Sequence, residues 1–323
     1  MKAAFGFRGV CAIGTGLLVV ASLSGCGAAG EDTATAEREV SVVMNWLPQA
    51  EQGGFWDLSA SGIDKKNGLS VTIQPGGPQI QTIPQVASGQ AQFGRANADQ
   101  ILLARAQGVP VVGIWANFDT YPQCLIYHPE SGIKKIEDVN EHPVAVSPGP
   151  NYWLWVKSHY KLDNVDEINY TGSLSEFARN DQLVQQCFAF NEPQLAEAQG
   201  LSHAEFLISD LGYNPYSGVL FTTEKMIKDN PDLVQSMVDA ADEGWIQYMN
   251  DPEVGNEAIK NAGGQEDSGQ LEFVHETMKS FFGAPIGSMV PDRWEALASQ
   301  MKDAGLVKTD VDWTKAFTTQ FLN

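Results

Sequence analysis

The stretch that decides the fold is residues 67–94, which read NGLSVTIQPGGPQIQTIPQVASGQAQFG. Within it, Leu69–Gln74 alternates apolar and polar side chains, a pattern that predicts a half-buried strand. Two glycines and a proline at 76–78 form a turn, and they lead into a helix that we expect to end near Gly89. Residues 90–94 are the next strand candidate. A strand, a helix and a strand in succession are typical of α/β folds with largely parallel sheets.

The same alternation of strands and helices extends outward over most of the chain. Further strand candidates are residues 40–46, 110–115, 124–127, 143–147, 168–170, 187–190 and 219–223. Helices are predicted at residues 55–66, 97–107, 152–160 and 174–185. The last third is mostly helical, and Asn230-Pro231 and Asp251-Pro252 mark two helix starts, because proline suits the first helical position after a capping residue. The length of 323 residues fits two domains.

The first 26 residues have the features of an export signal. Lys2 and Arg8 make the start positive, and the apolar run over residues 10–23 is shorter than the roughly 20 residues that a membrane-spanning helix needs. The run ends in Leu23-Ser24-Gly25-Cys26, which resembles the lipobox of bacterial lipoproteins. An ordinary cleaved signal with a chance cysteine is the alternative.

We therefore expect a signal peptide over residues 1–25 and a lipid on Cys26. Residues 26–39 are predicted to be a flexible spacer, because they contain too few apolar side chains to bury a core. The protein would then be lipid-anchored to the cell membrane on its extracytoplasmic side.

The composition excludes several classes of partner and chemistry. Forty acidic residues against twenty basic ones give a net charge of −20, which argues against binding nucleic acid or a broad anionic membrane surface. The five histidines show no metal-ligand spacing, and the chain contains no GxSxG, P-loop or HExxH motif. We expect no catalytic residues, no metal and no cofactor. Cys124 and Cys187 are either joined in a disulfide or are two buried thiols.

Four segments resemble one known family. They are Asn45-Trp46-Leu47-Pro48, residues 67–73, residues 87–94, and the pair Asn230-Pro231 and Asp251-Pro252. Together they resemble the solute-binding proteins of ABC importers that are related to thiamine-pyrimidine synthases. That group includes binders of thiamine pyrimidine precursors, riboflavin, aliphatic sulfonates, taurine and nitrate.

The resemblance implies a two-lobed periplasmic-binding-protein type II fold, in which each lobe is a mainly parallel sheet flanked by helices. Residues 40–120 would form the first part of lobe one, residues 121–216 lobe two, and residues 217–323 the return to lobe one with the C-terminal helices. The ligand would lie in the cleft between the lobes, and closure would be a hinge motion. The expected partners are a small-molecule ligand and the permease subunits of the importer, and the protein is expected to be a monomer.

Ligands of open α/β sheets bind beyond the carboxyl ends of the strands, and this rule selects candidate site residues without help from the family. In lobe one the candidates are Asn45, Trp46, Gly76, Gly77, Arg95, Asn97, Trp115 and Asn117. In lobe two they are Ser147, Asn151, Tyr152, Asn191 and Glu192.

Each candidate has a functional and a structural interpretation. Trp46 and Trp115 stand at strand ends and are predicted to stack on a planar ring, although core packing is the alternative. Glu192 would accept hydrogen bonds from ring N–H or amino groups, or it would cap the helix that begins at Pro193. Arg95 would pair with an anion, or it would form a plain ion pair. The glycines at 76 and 77 would bind an anion through their N–H groups or simply form a turn.

The predicted ligand is a small aromatic nitrogen heterocycle, such as a thiamine pyrimidine precursor or riboflavin. The alternative ligand is a small anion such as a sulfonate, taurine or nitrate. A pyrimidine-synthase-like enzyme is disfavoured, because the chain has an export signal and lacks the Cys-rich segment that the resemblance implies for such enzymes. A surface protein with a purely structural cleft is a third alternative.

Overall fold

The computed structural model describes residues 37–77, 79–308 and 310–322. The predicted signal peptide, the lipid on Cys26 and most of the spacer lie outside these residues. Within the described chain, no helix combines the length and apolar character needed to cross a membrane.

The strands of the described residues form two sheets. In chain order they are β1 (Arg38–Val43), β2 (Leu69–Gln74), β3 (Phe93–Ala96), β4 (Val111–Phe118), β5 (Gln123–Tyr127), β6 (Pro143–Val146), β7 (Asp166–Asn169), β8 (Val184–Phe188), β9 (Ala204–Leu207), β10 (Ser217–Thr223) and β11 (Phe282–Gly287). The first sheet has six strands in the order β11-β4-β10-β3-β1-β2, and the second has five in the order β7-β6-β8-β5-β9.

Both sheets are mixed, whereas the sequence predicted mainly parallel ones. β1 pairs in parallel with β2 and β3, and β6 pairs in parallel with β7 and β8. The antiparallel strands include those that flank the connections between the sheets. The chain passes directly from β4 to β5 and returns in β10, so β10 enters the first sheet beside β4 in the opposite direction. An antiparallel neighbour needs no helical crossover, and this explains the departure from the parallel pattern.

Helices flank the sheets. They are α1 (Gly53–Ala60), α2 (Ile63–Lys66), α3 (Thr82–Ala87), α4 (Ala98–Ala106), α5 (Asn151–Tyr160), α6 (Glu192–Ala198), α7 (Glu224–Asp229), α8 (Pro231–Asn250), α9 (Glu253–Asn261), α10 (Ser268–Met278) and α11 (Pro291–Asp303).

The long helix α8 shows how the sequence pattern produces the packing. Met237, Val238, Ala241 and Trp245 recur at helical spacing and are all buried. This face packs on α1, where Gly54 allows the close approach, because a Cβ at that position would overlap the Trp245 ring. The first sheet and its helices therefore share one aromatic core.

Most predicted elements are present within a few residues of their expected positions, and three predictions need correction. Residues 174–185 are not a helix: only Phe177–Arg179 form a short 3-10 turn, and β8 follows. Pairing of β8 with β5 and β6 overrides the local helical pattern. The predicted helix at 55–66 is divided by Gly62, which has a positive φ of 79°. β9 and β11 were not predicted.

The two connections between the sheets are tied together by Arg293 of α11. Its guanidinium donates to the carboxylate of Asp119, to the carbonyl of Asp119 at 2.6 Å and to the carbonyl of Asn214 at 2.7 Å. It also lies over the Tyr216 ring, 3.8 Å from the centroid. We call this group the crossover clamp. The division into moving lobes at residues 121 and 217 stays a prediction.

Candidate functional site

Polar side chains from separate segments meet where the two sheets come together. Asn45 follows β1, Arg95 lies in β3 and Asn117 in β4, so their side chains share one region of the sheet. A 3-10 turn at Ala50–Gln52 and the start of α6 complete the group. All members except the half-buried Asn45 are buried. We call this group the buried polar cluster, and its members are Asn45, Glu51, Gln52, Arg95, Asn117, Glu192 and Glu266.

Arg95 is the cation of the cluster and is only 2% exposed. Its Nη1 donates to Asn45 Oδ1 at 2.8 Å, and its Nη2 donates to the backbone carbonyl of Glu51 at 3.3 Å. Its Nε–H has no acceptor among the described residues. Burial lowers the pKa of Arg95 to about 10, and the charge of Glu51 opposes that shift. Arg95 therefore stays protonated at neutral pH, inside the protein.

The adjacent strand leaves room for this guanidinium at Gly218. The residue has a positive φ of 66°, and a Cβ there would lie 2.6 Å from Arg95 Nη2 and would overlap the side chain of Asn117. In the amide orientation that satisfies its neighbours, the Asn117 nitrogen donates to the Gly218 carbonyl at 2.9 Å. Both the backbone conformation and the close approach therefore require glycine at this position.

Two carboxyl groups of the cluster interact with each other. Burial raises the pKa of both Glu51 and Glu266, and the charge of Glu266 raises the pKa of Glu51 further. The charge of Arg95 lowers the pKa of Glu51 but does not cancel the effect of burial. Glu266 Oε2 accepts from the Ala50 N–H at 2.8 Å. These two groups thus hold a proton more readily than exposed carboxylates do.

Several polar atoms of the cluster lack hydrogen bonds within the described chain. Gln52 is fully buried, yet neither its Nε2 nor its Oε1 has a partner there, and the same holds for Arg95 Nε and Glu266 Oε1. Each buried unpartnered group costs about 1–3 kcal/mol. Four such atoms in one cluster are untypical of a packed core and are what a binding site for a polar molecule would present.

Glu192 brings the second sheet to this cluster. One carboxylate oxygen accepts from the backbone N–H of Phe188 at 2.7 Å, and the other accepts from the hydroxyl of Tyr170. Burial raises the pKa of Glu192, and both hydrogen bonds oppose that shift. The Glu192 charge also raises the pKa of Glu51, after the larger effects of burial and Glu266.

Two more predicted residues, Ser147 and Tyr152, contact Gln186 of the second sheet. The Ser147 N–H donates to Gln186 Oε1 at 2.6 Å, and the Tyr152 hydroxyl reaches the same oxygen at 3.4 Å. Burial, followed by the Glu192 charge, raises the pKa of Tyr152, which is consistent with this placement.

The structure assigns other predicted residues to contacts within the protein. Asn97 caps α4 and accepts from Ser217 Oγ at 2.9 Å. Asn151 hydrogen-bonds Asp99, and this bond opposes the rise in the pKa of Asp99 that burial causes. Asn191 accepts from Gln270 Nε2 at 3.0 Å and so links α6 to α10.

The glycine turn lies against the end of β1. The Gly76 N–H donates to the Trp46 carbonyl at 3.0 Å, and a Cβ at Gly76 would overlap the backbone at 44–46. Trp46 itself is half-buried, and Gly77 is buried beside it. The turn therefore holds the segment that carries Trp46 and Asn45.

The structure does not bring Trp115 to the cluster, which corrects its predicted role as a ligand contact. The side chain is fully buried, with ring centroids 5.8 Å from Phe55 and 6.3 Å from Trp245. Its indole Nε1 donates to Asp242 Oδ1 at 2.5 Å. β4 runs on to Phe118, so Trp115 stands within the strand and not at its end, and it packs into the aromatic core.

Sequence reasoning missed Glu51, Gln52, Glu266, Tyr170 and Gln186. Glu51 and Gln52 directly precede the buried residues of α1, and a charged side chain beside an apolar segment was the available signal. Glu266 lies in a polar segment that resembles an ordinary loop, and nothing in the sequence distinguishes it.

Cys124 and Cys187 are joined in a disulfide between β5 and β8, where they stand directly opposite each other with Cα atoms 4.8 Å apart. The disulfide links two strands of the second sheet, and one of them, β8, leads into the segment that carries Glu192. Separately, an open groove of about 790 Å³ lies between α1, β2 and α9. That groove is lined by residues outside the buried polar cluster, so we do not treat it as the candidate site.

Comparisons with known proteins agree with this architecture. The family model described as NMT1/THI5 like matches residues 61–254. The riboflavin-binding protein RibY of Chloroflexus aurantiacus is 21% identical to this chain over 345 residues, covering 95% of this chain and 96% of RibY.

Solved structures share the fold at low sequence identity. The periplasmic aliphatic sulphonate binding protein SsuA of Escherichia coli has a TM-score of 0.66 at 12% identity, covering 87% of this chain and 92% of SsuA. The desulfurization enzyme DSZB has a TM-score of 0.59 at 15% identity, covering 88% of this chain and 98% of DSZB. The predicted α/β fold of the periplasmic-binding-protein type is thereby confirmed.

Proposed function

This chain belongs to the NMT1/THI5-like family, and from that premise we propose that it is the extracytoplasmic solute-binding protein of an ABC importer. Its ligand is a small aromatic nitrogen heterocycle, held in the buried polar cluster between the two sheets. The similarity to RibY along nearly the whole chain supports the binding role. The arrangement of the acidic groups supports the class of ligand.

The observation that carries the proposal is the oriented carboxylate of Glu192. Both of its oxygens are held by Phe188 N–H and the Tyr170 hydroxyl, so its remaining lone pairs have fixed directions. Such a group accepts hydrogen bonds from ring N–H or amino groups at low entropic cost. Trp46, half-buried in the segment that follows β1, offers a ring face for stacking.

A small anion is the second candidate, since SsuA shares the fold and Arg95 is a buried cation. The surroundings of Arg95 argue against it. Both Nη atoms already donate to acceptors of the protein, and only Nε is left. Three carboxyl groups share the cluster with this one guanidinium, and any of them that is ionised repels an anion.

An enzyme is the third candidate, because DSZB also shares the fold. The name of DSZB describes that protein only, and fold similarity alone does not transfer an activity. We propose a binding function without chemistry for this chain. The proposal also includes a lipid on Cys26, delivery of the ligand to the permease subunits, and closure of the cleft by a hinge motion.

The experiment that tests this proposal is a binding panel on the purified protein by isothermal titration calorimetry. The panel contains riboflavin, thiamine, its free pyrimidines, taurine, an alkyl sulfonate and nitrate. We expect binding of at least one ring compound and none of the anions. Binding of only the anions would overturn the heterocycle, and turnover of a bound compound would overturn the non-enzymatic role.

A matched pair of variants tests the site. Glu192→Gln should weaken binding of the ring compound by about 10-fold or more, because a hydrogen bond to a charged group contributes about 1.5–3 kcal/mol. Glu197→Gln, on the exposed part of the same helix α6, should leave the affinity unchanged.

A further inference from the structure

The open groove between α1, β2 and α9 has no part in the proposed function, because its residues lie outside the buried polar cluster. We call it the α9 groove. Its volume is about 790 Å³, and each of the three elements contributes apolar side chains to its lining. Val254 of α9 is 40% exposed there. Trp56 of α1 is 7% exposed, and its indole N–H has no acceptor among the described residues. The groove therefore combines open apolar surface with an unused donor. Its apolar lining consists of Trp56, Ala60, Val71, Ile73, Val254 and Ala258.

β2 borders the α9 groove with its edge and not with one face. It is the last strand of the six-stranded sheet, and β1 is its neighbour on the other side. Three consecutive residues, Val71, Thr72 and Ile73, line the groove. Since successive side chains of a strand point to opposite faces, three in a row indicate that the edge itself is open. An open edge presents N–H and C=O groups with which another chain can pair.

The backbone groups of this edge are occupied at Val71 and open at Ile73. The Val71 N–H donates to Asp64 Oδ2 at 2.9 Å, and the Val71 carbonyl accepts from Ser59 Oγ at 2.9 Å. These two side chains take the place of a neighbouring strand. Groups that point away from β1 recur at every second residue, so the N–H and C=O of Ile73 face the same side. In the described part of the chain, no further backbone segment pairs with them.

The wall formed by α9 is acidic. Glu253 and Glu257 both line the groove and are exposed, and among the described residues no basic side chain lines it. The two residues are one helical turn apart, about 6 Å along the axis. Side chains two residues apart on one face of an extended chain are separated by about 6.7 Å. The spacing of the acidic residues therefore matches a strand that carries a basic side chain at every second position.

We propose that the α9 groove docks an extended basic segment of a partner protein, which adds to the edge of β2. The backbone of the segment pairs with Ile73, as in other cases of strand addition to an open sheet edge. Lysine or arginine side chains at alternate positions reach Glu253 and Glu257. Their apolar stems cover Trp56 and Val254, while the charged heads stay hydrated.

Charge distinguishes this occupant from two others. Residues 27–36, which precede the first strand, contain Glu31 and Asp32 and no basic residue, so the acidic wall repels them. A second copy of the chain carries the same net charge of −20 and is repelled as a whole. A basic segment is the complementary occupant of the three.

Fluorescence anisotropy with two labelled, end-capped peptides of the same composition tests the docking site. Val-Lys-Val-Lys-Val has its lysines at alternate positions, and Lys-Lys-Val-Val-Val does not. We expect the first to bind about 5-fold or more tightly than the second, and its affinity to fall as the salt concentration rises. The double variant Glu253→Gln with Glu257→Gln should lose this preference. Glu272→Gln with Glu276→Gln, an exposed pair at the same spacing on α10, should keep it. Equal affinities for the two peptides, no binding of either, or a preference that survives in the groove variant would overturn the proposal.

Hydrogen exchange on the wild-type protein gives a readout that needs no variant. The alternating peptide should slow amide exchange in Leu69–Gln74, because Ile73 gains a partner there; protection confined to other segments would count against the docking site. Tighter peptide binding after deletion of residues 27–36 would assign the groove to that segment. A dimer that the peptide dissociates, measured by sedimentation velocity, would assign it to a second copy. Either outcome overturns the proposal. Neither experiment uses the ligand of the proposed function, so the two proposals stand or fall separately.

Discussion

Replacement of Trp115 by phenylalanine distinguishes a structural residue from a ligand contact. The indole is fully buried and its N–H donates to Asp242 at 2.5 Å. Trp115→Phe leaves a partly buried carboxyl without this donor, a loss of about 1.5–3 kcal/mol for a hydrogen bond to a charged group. The smaller ring also removes contacts with Phe55 and Trp245, a further loss of about 1–2 kcal/mol. We expect the free energy of unfolding to fall by about 2.5–5 kcal/mol in total.

Urea denaturation followed by circular dichroism measures this loss, and titration calorimetry with the best ligand of the panel measures affinity. The affinity of folded Trp115→Phe protein should match that of the wild type. Trp46→Ala is the matched contrast, because Trp46 is half-buried and directly follows Asn45 of the buried polar cluster. It should lower affinity by about 10-fold while stability changes little. Reduced affinity with unchanged stability in Trp115→Phe would refute the assignment of this residue to the core.

Three further predictions concern stability. Gly54→Ala should destabilise the protein by about 1–3 kcal/mol in urea denaturation, because its Cβ would overlap the Trp245 ring; no loss would contradict the close packing of α1 on α8. Burial raises the pKa of Glu51 and Glu266 in the folded state, so the stability that these two carboxyl groups contribute should be greatest below their ordinary pKa of 4.5 and be lost as the pH rises through the raised values. Glu51→Gln should flatten this pH dependence, and an equal slope in both proteins would count against it. Arg293→Met breaks the crossover clamp, and we expect a loss of about 1–3 kcal/mol, since a half-exposed carboxylate and two carbonyls lose their donor; a thermal unfolding curve like that of the wild type would contradict it.

Much of the fold was predictable because it depends on local patterns. Alternation in Leu69–Gln74 and the helical spacing along α8 both follow from one buried face, and both elements are present. The error at residues 174–185 has the opposite cause. That segment is compatible with a helix by itself, but pairing with two neighbouring strands converts its end into β8.

Part of the candidate site was also predictable. The rule that ligands bind beyond strand ends led to Asn45, Arg95, Asn117 and Glu192, and the structure brings these four together. The same rule led to Trp115, where it was wrong, because the predicted strand ends three residues too early and makes a core side chain look like an end residue. Whether any of these residues contacts a ligand stays a prediction.

The sequence by itself determined the α/β class, the resemblance to importer-binding proteins and the candidate residues at strand ends, since each depends on residues near one another in the chain. Only the tertiary structure decided the mixed pairing of the sheets and the meeting of Glu51 with Glu266. Ala50 and Glu266 are 216 residues apart and are nevertheless joined by a hydrogen bond. No local pattern encodes such a contact, because it depends on how α1, α8 and α10 pack together. The raised pKa values of the two carboxyl groups follow from that packing, because burial and the partner charge exist only in the folded chain.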